Sequence, residues 1–195
     1  MRQVQPDSKH FKMFECSPKE ACRWAEHFVQ TSSIVPGASC STVFDIDDTL
    51  VFAKNDNLNE DVVSLYRSIP DHVSRIIVTA RPTKSRKFSQ KQVRTLDKEM
   101  PWKMFHMPDM FSRSSEVHLY KAGCRKHIAN DSQILINIGD QWTDIFGQGR
   151  IVQNAWDLED EGELDSDRSY IVLPNSPLGE SILQSEVGIK LPSHS

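Results

Sequence analysis

Short apolar segments recur along the chain, and each is four to six residues long. Most are rich in valine and isoleucine, which is typical of parallel strands that are buried on both faces of a sheet. Polar or turn-forming residues bound each segment. The pattern therefore predicts five strands, at 42–46, 75–79, 103–107, 133–138 and 170–173.

Helical patterns separate these strands. Residues 59–69 and 114–128 place apolar side chains three or four positions apart, as an amphipathic helix does. Asn59, which two acidic residues follow, is a predicted N-cap. A further helix is predicted at 18–31, before the first strand. This alternation of strands and helices predicts right-handed crossovers and an α/β fold with a parallel sheet.

The composition is that of a single globular domain. Of 195 residues, 38% are hydrophobic and 26% are charged, so we expect one domain over 1–195. We divide it into an N-terminal helical extension at 1–40, a core at 41–177 and a C-terminal tail at 178–195. For the tail we predict a short helix and a frayed end. The net charge of −4 gives no global sign of a nucleic-acid binder.

No targeting or membrane segment is recognisable. The first twelve residues are polar and lack the apolar stretch of a signal peptide, and no apolar run reaches the length of a membrane span. We therefore expect a cytoplasmic protein with no membrane partner. The four cysteines have no C-x-x-C spacing and are expected to be free thiols.

Carboxylates follow two of the predicted strands. Asp45 and Asp47 lie at the end of the first strand, and Asp140 and Asp144 come after the strand at 133–138. In a doubly wound sheet, ligands bind beyond the carboxyl ends of the strands, so these side chains are predicted to converge on one pocket. A solvated strand end with a helix cap is the alternative interpretation of each motif, because short motifs also match by accident.

These carboxylates suit a hard cation. Mg²⁺ takes few carboxylates and keeps several waters, so Asp45, Asp140 and the main-chain carbonyl of Asp47 would suffice as its protein ligands. Asp144 is not expected to bind the metal directly. It would hydrogen-bond to the ligands or reach the metal through a water. Gly139 allows the backbone to turn close to the site.

The residue order also resembles a known superfamily. The pattern D-x-D-x-T at 45–49 is similar to the first motif of the haloacid dehalogenase (HAD) superfamily, and Thr79 resembles its second motif. The most similar branch is that of the class B acid phosphatases and plant vegetative storage proteins, subfamily IIIB, on the strings at 44–50, 137–144 and 173–175 and on Tyr120, Lys121 and Arg125. The resemblance covers residues 42–177.

The resemblance implies a three-layer α/β/α Rossmann-like fold and a phosphatase that works through an aspartyl-phosphate. Asp45 would be the nucleophile, and Asp47 the general acid and base. Thr79 would bind a phosphate oxygen through its hydroxyl, although a residue that merely ends a strand is the alternative. Lys121 would supply the cation that a phosphoryl group needs, and Lys126 is the weaker alternative.

The sequence departs from this branch in two respects. Members of the branch are commonly secreted, whereas a signal peptide is not recognisable here, which argues against a scavenging role. The interval between Leu50 and Arg75 is too short for a large inserted cap, so we expect little or no cap and an open pocket. Some storage relatives have lost the nucleophile, and the presence of Asp45 favours activity.

Three functions are consistent with these features. The main hypothesis is a Mg²⁺-dependent hydrolase of small phosphomonoesters, either metabolites or nucleotides. From 83 to 103, seven basic residues stand against two acidic ones, so a phosphatase of nucleic-acid ends or phosphoproteins is the alternative. A solvated helix face is the simpler interpretation of those charges, and nucleic acid is not the favoured partner. A catalytically silent storage or binding protein with the same fold is the third hypothesis.

Overall fold

One eight-stranded sheet organises the chain in the computed structural model, which describes residues 1–4, 9–32, 38–96, 101, 103–110 and 114–193. The strands are β1 (Arg2–Val4), β2 (Phe11–Cys16), β3 (Cys40–Phe44), β4 (Val73–Pro82), β5 (Lys103–Met107), β6 (Gln133–Gly139), β7 (Ser169–Pro174) and β8 (Val187–Lys190). The helices are α1 (Pro18–Thr31), α2 (Glu60–Ser68), α3 (Arg86–Leu96), α4 (Ser114–Ala129), α5 (Trp142–Ile145), α6 (Gly149–Asp160) and α7 (Pro177–Leu183). The described residues thus form an α/β fold with seven α-helices and a mostly parallel sheet.

The parallel part of the sheet is centred on β3. This strand pairs in parallel with β4 on one side and with β6 on the other. β5 extends the parallel part beyond β4, and β8 extends it beyond β6. β7 then pairs antiparallel with β8, β2 with β7 and β1 with β2. The carboxyl ends of β3, β4 and β6 consequently lie at one edge of the sheet, where ligands bind in folds of this class.

Helices cover both faces of this sheet. Successive side chains of a strand point to opposite faces. On β3, Val43 belongs to an apolar cluster with Ile128 of α4. Its neighbour Phe44 packs edge-on against Tyr66 of α2, with the ring centroids 5.2 Å apart. Two helical layers therefore enclose the sheet, which is compatible with a three-layer Rossmann-like fold.

The expectation of five parallel strands is wrong in number and in direction. Each of the five predicted segments overlaps a strand, although the first was predicted to reach residue 46 and β3 ends at Phe44, and the sheet has eight strands. The segment predicted at 170–173 lies in β7, which is antiparallel to both of its neighbours. The three additional strands come from the two ends of the chain. In β2, buried Phe11 and Met13 alternate with exposed Lys12, which is the period of a strand.

The two terminal segments therefore differ from their predictions. The segment 1–40 is not purely helical, because β1 and β2 precede α1. The tail at 178–195 forms a helix, α7, but it is not frayed at 187–190, where β8 is buried between β6 and β7. β8 ends in a lysine whose Nζ lies 3.2 Å from a carboxylate oxygen of Glu159. A tertiary partner of this kind cannot be read from local composition.

The predicted helices are confirmed. α1 has the predicted bounds and begins with a capping box, in which Ser17 and Glu20 exchange hydrogen bonds. α2 begins directly after Asn59, although the side chain of Asn59 makes no capping hydrogen bond. α4 covers the predicted range 114–128. The basic segment 83–103 forms α3 in its middle only, with Lys103 in β5 and residues 97–100 and 102 outside the described part of the chain.

Three further expectations concern the chain as a whole. Between Leu50 and Val73 the chain forms one short loop and α2, so this interval, which is described throughout, contains no inserted cap domain. All four cysteines are free thiols, as predicted, and all four are buried. Within the described ranges, every helix is too short or too polar to cross a membrane.

Candidate functional site

The candidate site lies where the central strands end. β3 ends at Phe44, so Asp45 is the first residue beyond it, and Asp140 directly follows β6. The main-chain N–H of Asp45 donates to the carbonyl of Ile138, with 3.1 Å between the atoms. The two strand ends are thereby joined, and both aspartates are buried at the same edge of the sheet.

Three buried carboxylates meet at this edge. Asp45, Asp140 and Asp144 each offer one oxygen, and the three oxygens lie within 4.8 Å of one another. This cluster could hold a metal ion, because buried oxygen ligands of negative charge suit a divalent cation. Asp144 was expected behind the ligands, whereas the structure places its carboxylate beside those of Asp45 and Asp140.

The backbone around β6 brings Asp144 to this position. α5 begins after Gln141, whose main-chain N–H donates to Oδ2 of Asp144 at 3.0 Å. A Cβ atom at Gly139 would lie 2.3 Å from the Asp144 side chain, so only glycine leaves room for that carboxylate. The carbonyl of Asp144 also accepts hydrogen bonds from Nη1 of Arg125, at 2.6 Å, and from the side chain of Asn137.

Lys121 places a buried ammonium against the carboxylates. Its Nζ lies 3.1 Å from Oδ1 of Asp45 and forms a second ion pair with Asp144. Burial by itself would lower the pKa of Lys121, but the two carboxylates raise it above its ordinary value, so the side chain stays protonated. Lys126, the alternative from the sequence, is exposed on α4. Lys121 is therefore the lysine that the fold brings to the site.

The positive charge of Lys121 balances the three buried carboxylates only in part. Burial raises the pKa of Asp45 well above its usual value, and Asp144 and Asp140 add to this effect although Lys121 opposes it. Burial, followed by the charge of Asp144, raises the pKa of Asp140 to about 6. One ammonium thus does not compensate three buried carboxylates. A divalent cation among them would supply the missing charge.

Asp47 faces a different partner. Its side chain is 40% exposed and pairs with Arg81, whose Nε lies 3.0 Å and 2.9 Å from the two carboxylate oxygens. Nη2 of Arg81 adds a third contact, at 2.6 Å to Oδ1. The guanidinium is itself fixed by Gln92 and Ser89 of α3. Asp47 therefore lies beside the cluster, on the side of β4 and α3.

Thr79 lies inside β4 and not at its end. β4 continues to Pro82, and its register against β5 shifts after Thr79. The threonine is fully buried, and its Oγ1 accepts a hydrogen bond from the main-chain N–H of Arg81 at 3.2 Å. A phosphate contact of this hydroxyl remains a prediction.

Several supporting residues were not foreseen. The sequence predicts no role for Arg81, although this residue lies only two positions after Thr79. Gln141 donates to the carboxylate of Asp140 through Nε2 at 2.8 Å, and Ser193 donates to the carbonyl of Asp140 at 2.9 Å. Ser193 is 53 residues from Asp140, so its role depends on the tertiary fold alone.

No protein-family model matches the chain, and no curated protein matches it significantly. The resemblance to HAD phosphatases accordingly rests on the motif residues and on their order along the chain.

Proposed function

We propose that this protein is a Mg²⁺-dependent phosphomonoester hydrolase that forms an aspartyl-phosphate on Asp45. The observation that carries the proposal is the environment of Asp45: a buried carboxylate with an ammonium at 3.1 Å and two further carboxylates within 4.8 Å. A nucleophile and a cation for the phosphoryl oxygens are thus adjacent, and the candidate metal ligands lie beside them.

The donor set fits Mg²⁺. All candidate ligands are oxygens, and Asp45, Asp140 and Asp144 are buried carboxylates whose charge Lys121 balances only in part. The main-chain carbonyl of Asp47 is the further ligand that we propose. When bound there, Mg²⁺ would reduce the repulsion between the carboxylate of Asp45 and an anionic substrate.

The reaction has two displacement steps at phosphorus. In the first, Asp47 begins as the carboxylic acid: a carboxylate oxygen of Asp45 forms a bond to phosphorus, the bond to the leaving oxygen breaks, and that oxygen takes the proton of Asp47. In the second, Asp47 takes a proton from water, whose oxygen attacks phosphorus, and the bond between Asp45 and phosphorus breaks. Inorganic phosphate leaves, and both aspartates return to their starting states.

The surrounding residues hold these groups in place. Lys121 would balance the charge that collects on the phosphoryl oxygens, because its ammonium already contacts Asp45. Arg81 binds both oxygens of Asp47 and so fixes the direction of its carboxylate. We assign the hydroxyl of Thr79 to a phosphate oxygen. Because no cap is inserted between Leu50 and Val73, we propose an open site that admits small phosphorylated metabolites and nucleotides without the movement of a lid.

The test is hydrolysis of p-nitrophenyl phosphate. We expect turnover with Mg²⁺, none with EDTA, and a loss of at least about a thousandfold in kcat for Asp45→Asn. Asp131→Asn, which changes an exposed aspartate after α4, serves as the matched control and keeps full activity. A folded, Mg²⁺-loaded protein that hydrolyses no phosphomonoester in a broad panel would instead favour a silent storage or binding protein.

A further inference from the structure

Every charged residue from 83 to 96, which comprises α3 and the turn before it, is basic. Lys84, Arg86, Lys87, Lys91 and Arg94 are all exposed, and residues 83–96 contain no aspartate or glutamate. We call these five residues, together with Phe88, the α3 basic face. The remainder of the protein must be acidic on balance, since the net charge of the chain is −4. The basic face is therefore a local feature and not a reflection of overall composition.

An exposed aromatic ring lies among these basic side chains. Phe88 is 52% exposed, although an aromatic side chain of this size is usually buried. The opposite side of α3 packs inward through Ser89, Val93 and Leu96. The helix thus has an ordinary buried side, and the exposed ring is additional to what its packing requires.

The α3 basic face begins at the candidate active site. The guanidinium carbon of Arg81 lies 5.4 Å from the centre of the Phe88 ring, and the same guanidinium binds the carboxylate of Asp47. Arg81 also donates to Ser89 in the first turn of α3. An extended ligand that binds over Phe88 would therefore also reach Asp47, the proposed acid and base.

This combination fits single-stranded nucleic acid. Proteins that bind single strands without sequence preference combine a cationic track for the phosphates with aromatic rings on which bases stack. The cations on α3 provide the track, and Phe88 provides one ring. A phosphopeptide would use the charge, whereas stacking on Phe88 is a contact that any nucleic-acid base can make.

We propose that the α3 basic face binds single-stranded nucleic acid and directs its phosphorylated end to Asp45. The binding step stands on the surface of α3 alone. The removal of the terminal phosphate rests on the proposed function, because it uses the same displacement at phosphorus. The substrate class would then be the phosphomonoester end of a DNA or RNA strand.

The first test is binding of a fluorescent single-stranded oligonucleotide, followed by anisotropy. Lys87→Glu/Lys91→Glu should weaken binding at least about tenfold and make its dependence on salt shallower, because phosphate contacts are lost. The control Lys126→Glu/Arg150→Glu changes two exposed cations outside α3 and should leave Kd within about twofold. Equal Kd values for the two double variants would overturn the proposal.

A second pair of variants separates stacking from charge. Phe88→Ala should weaken oligonucleotide binding several-fold, whereas Phe88→Trp, which keeps a stacking surface, should not. If both variants bind the oligonucleotide as tightly as the unchanged protein does, the aromatic ring has no role in binding. The proposal that bases stack on Phe88 is then refuted. Tighter binding of a phosphopeptide than of an oligonucleotide of equal charge would identify a protein partner and would also contradict the proposal.

The activity measurement distinguishes the two proposals. With a 5′-phosphorylated oligonucleotide, Lys87→Glu/Lys91→Glu should raise KM at least about tenfold, while kcat/KM for p-nitrophenyl phosphate stays unchanged. Unchanged values for both substrates would refute the nucleic-acid surface and leave the phosphatase intact. If the oligonucleotide binds through α3 but no phosphomonoester is hydrolysed, the surface stands and the proposed function fails.

Discussion

The ammonium of Lys121 lies 3.1 Å from Oδ1 of Asp45 and pairs at the same time with Asp144, and all three side chains are buried. A buried ion pair contributes little net stability compared with an apolar pair, but removing one partner alone leaves the other charge uncompensated. Lys121 should therefore matter for stability as well as for phosphate binding.

We predict that Lys121→Met lowers the free energy of unfolding of the metal-free protein by about 3–5 kcal/mol, because three buried carboxylates then share no ammonium. Urea denaturation at pH 7.5 measures this loss. Lys126→Met is the control, since its exposed side chain should change stability by less than about 0.5 kcal/mol. A similar small effect for both variants would show that the buried pair is not formed.

A pair of glycine substitutions tests the position of Asp144. Gly139→Ala would place a methyl group 2.3 Å from the Asp144 side chain, so we expect a loss of about 1–3 kcal/mol in unfolding free energy and weaker Mg²⁺ binding. Gly123→Ala places its methyl in open space on α4 and should stabilise the protein by about 1 kcal/mol. Thermal denaturation and Mg²⁺ titration of both variants provide the comparison, and equal effects would contradict the geometry of the cluster.

The sequence predicted the proximity of Asp45 and Asp140 better than it predicted the sheet. Asp45 and Asp140 could be placed together because each follows an apolar run that parallel strands require, and parallel strands end at the same edge. β8 could not be predicted in this way. It has only four residues, and its buried Lys190 is stabilised by Glu159, a contact that exists only after α6 has folded.

The direction in which each side chain points was the second feature that the sequence could not predict. Asp45 and Asp47 are two residues apart, yet one meets Lys121 and the other meets Arg81. Their order along the chain predicts a shared site but not these separate partners, which depend on how β4 and α4 pack against β3. The position of the Asp144 carboxylate beside those of Asp45 and Asp140 is a further example, because it depends on the space that Gly139 leaves.

The pairing of Arg81 with Asp47 predicts a split between kinetic constants. Arg81→Lys keeps the charge but loses the fork that binds both carboxylate oxygens, so Asp47 would be held less firmly. We expect kcat for p-nitrophenyl phosphate to fall about ten- to a hundredfold with little change in KM. Arg86→Lys, an exposed change outside this pair, is the control for steady-state kinetics. A rise in KM alone would mean that Arg81 binds substrate and does not orient Asp47.

Stabilisation by Mg²⁺ should depend on pH. The pKa of Asp140 is raised to about 6 and that of Asp45 is also raised, so both carboxyls take up protons more readily than free aspartate does. Below pH 6, Mg²⁺ must displace a proton from Asp140, and its affinity falls. At a concentration a hundred times Kd, Mg²⁺ should raise Tm by roughly 5–10 °C at pH 7.5.

Scanning fluorimetry at pH 7.5 and pH 5 measures this difference. The Mg²⁺-induced shift in Tm should shrink at pH 5 and should be largely absent at both pH values in Asp140→Asn. A shift that is equal at the two pH values would place the metal away from these carboxylates.

His106 predicts a second, independent pH effect. Burial, then Arg86 and Arg81, lower the pKa of His106 below its ordinary value, and neither ring nitrogen has a hydrogen-bond partner among the described residues. The unfolded chain therefore binds a proton at this position more readily than the folded protein, so stability falls as pH drops below about 6.5. His106→Leu should reduce this fall. Urea denaturation at pH 8 and pH 5.5 tests it, and an equal decrease in both proteins would refute it.

The central claim is that a phosphoryl group is transferred to Asp45, and direct detection of that group tests it most closely. The protein is mixed with a phosphomonoester and Mg²⁺, quenched with acid and treated with borodeuteride, which reduces an acyl phosphate to deuterated homoserine. We predict deuterated homoserine at position 45, seen by mass spectrometry of the peptides, and none in Asp45→Asn. Substrate turnover with no label at position 45 would contradict the account.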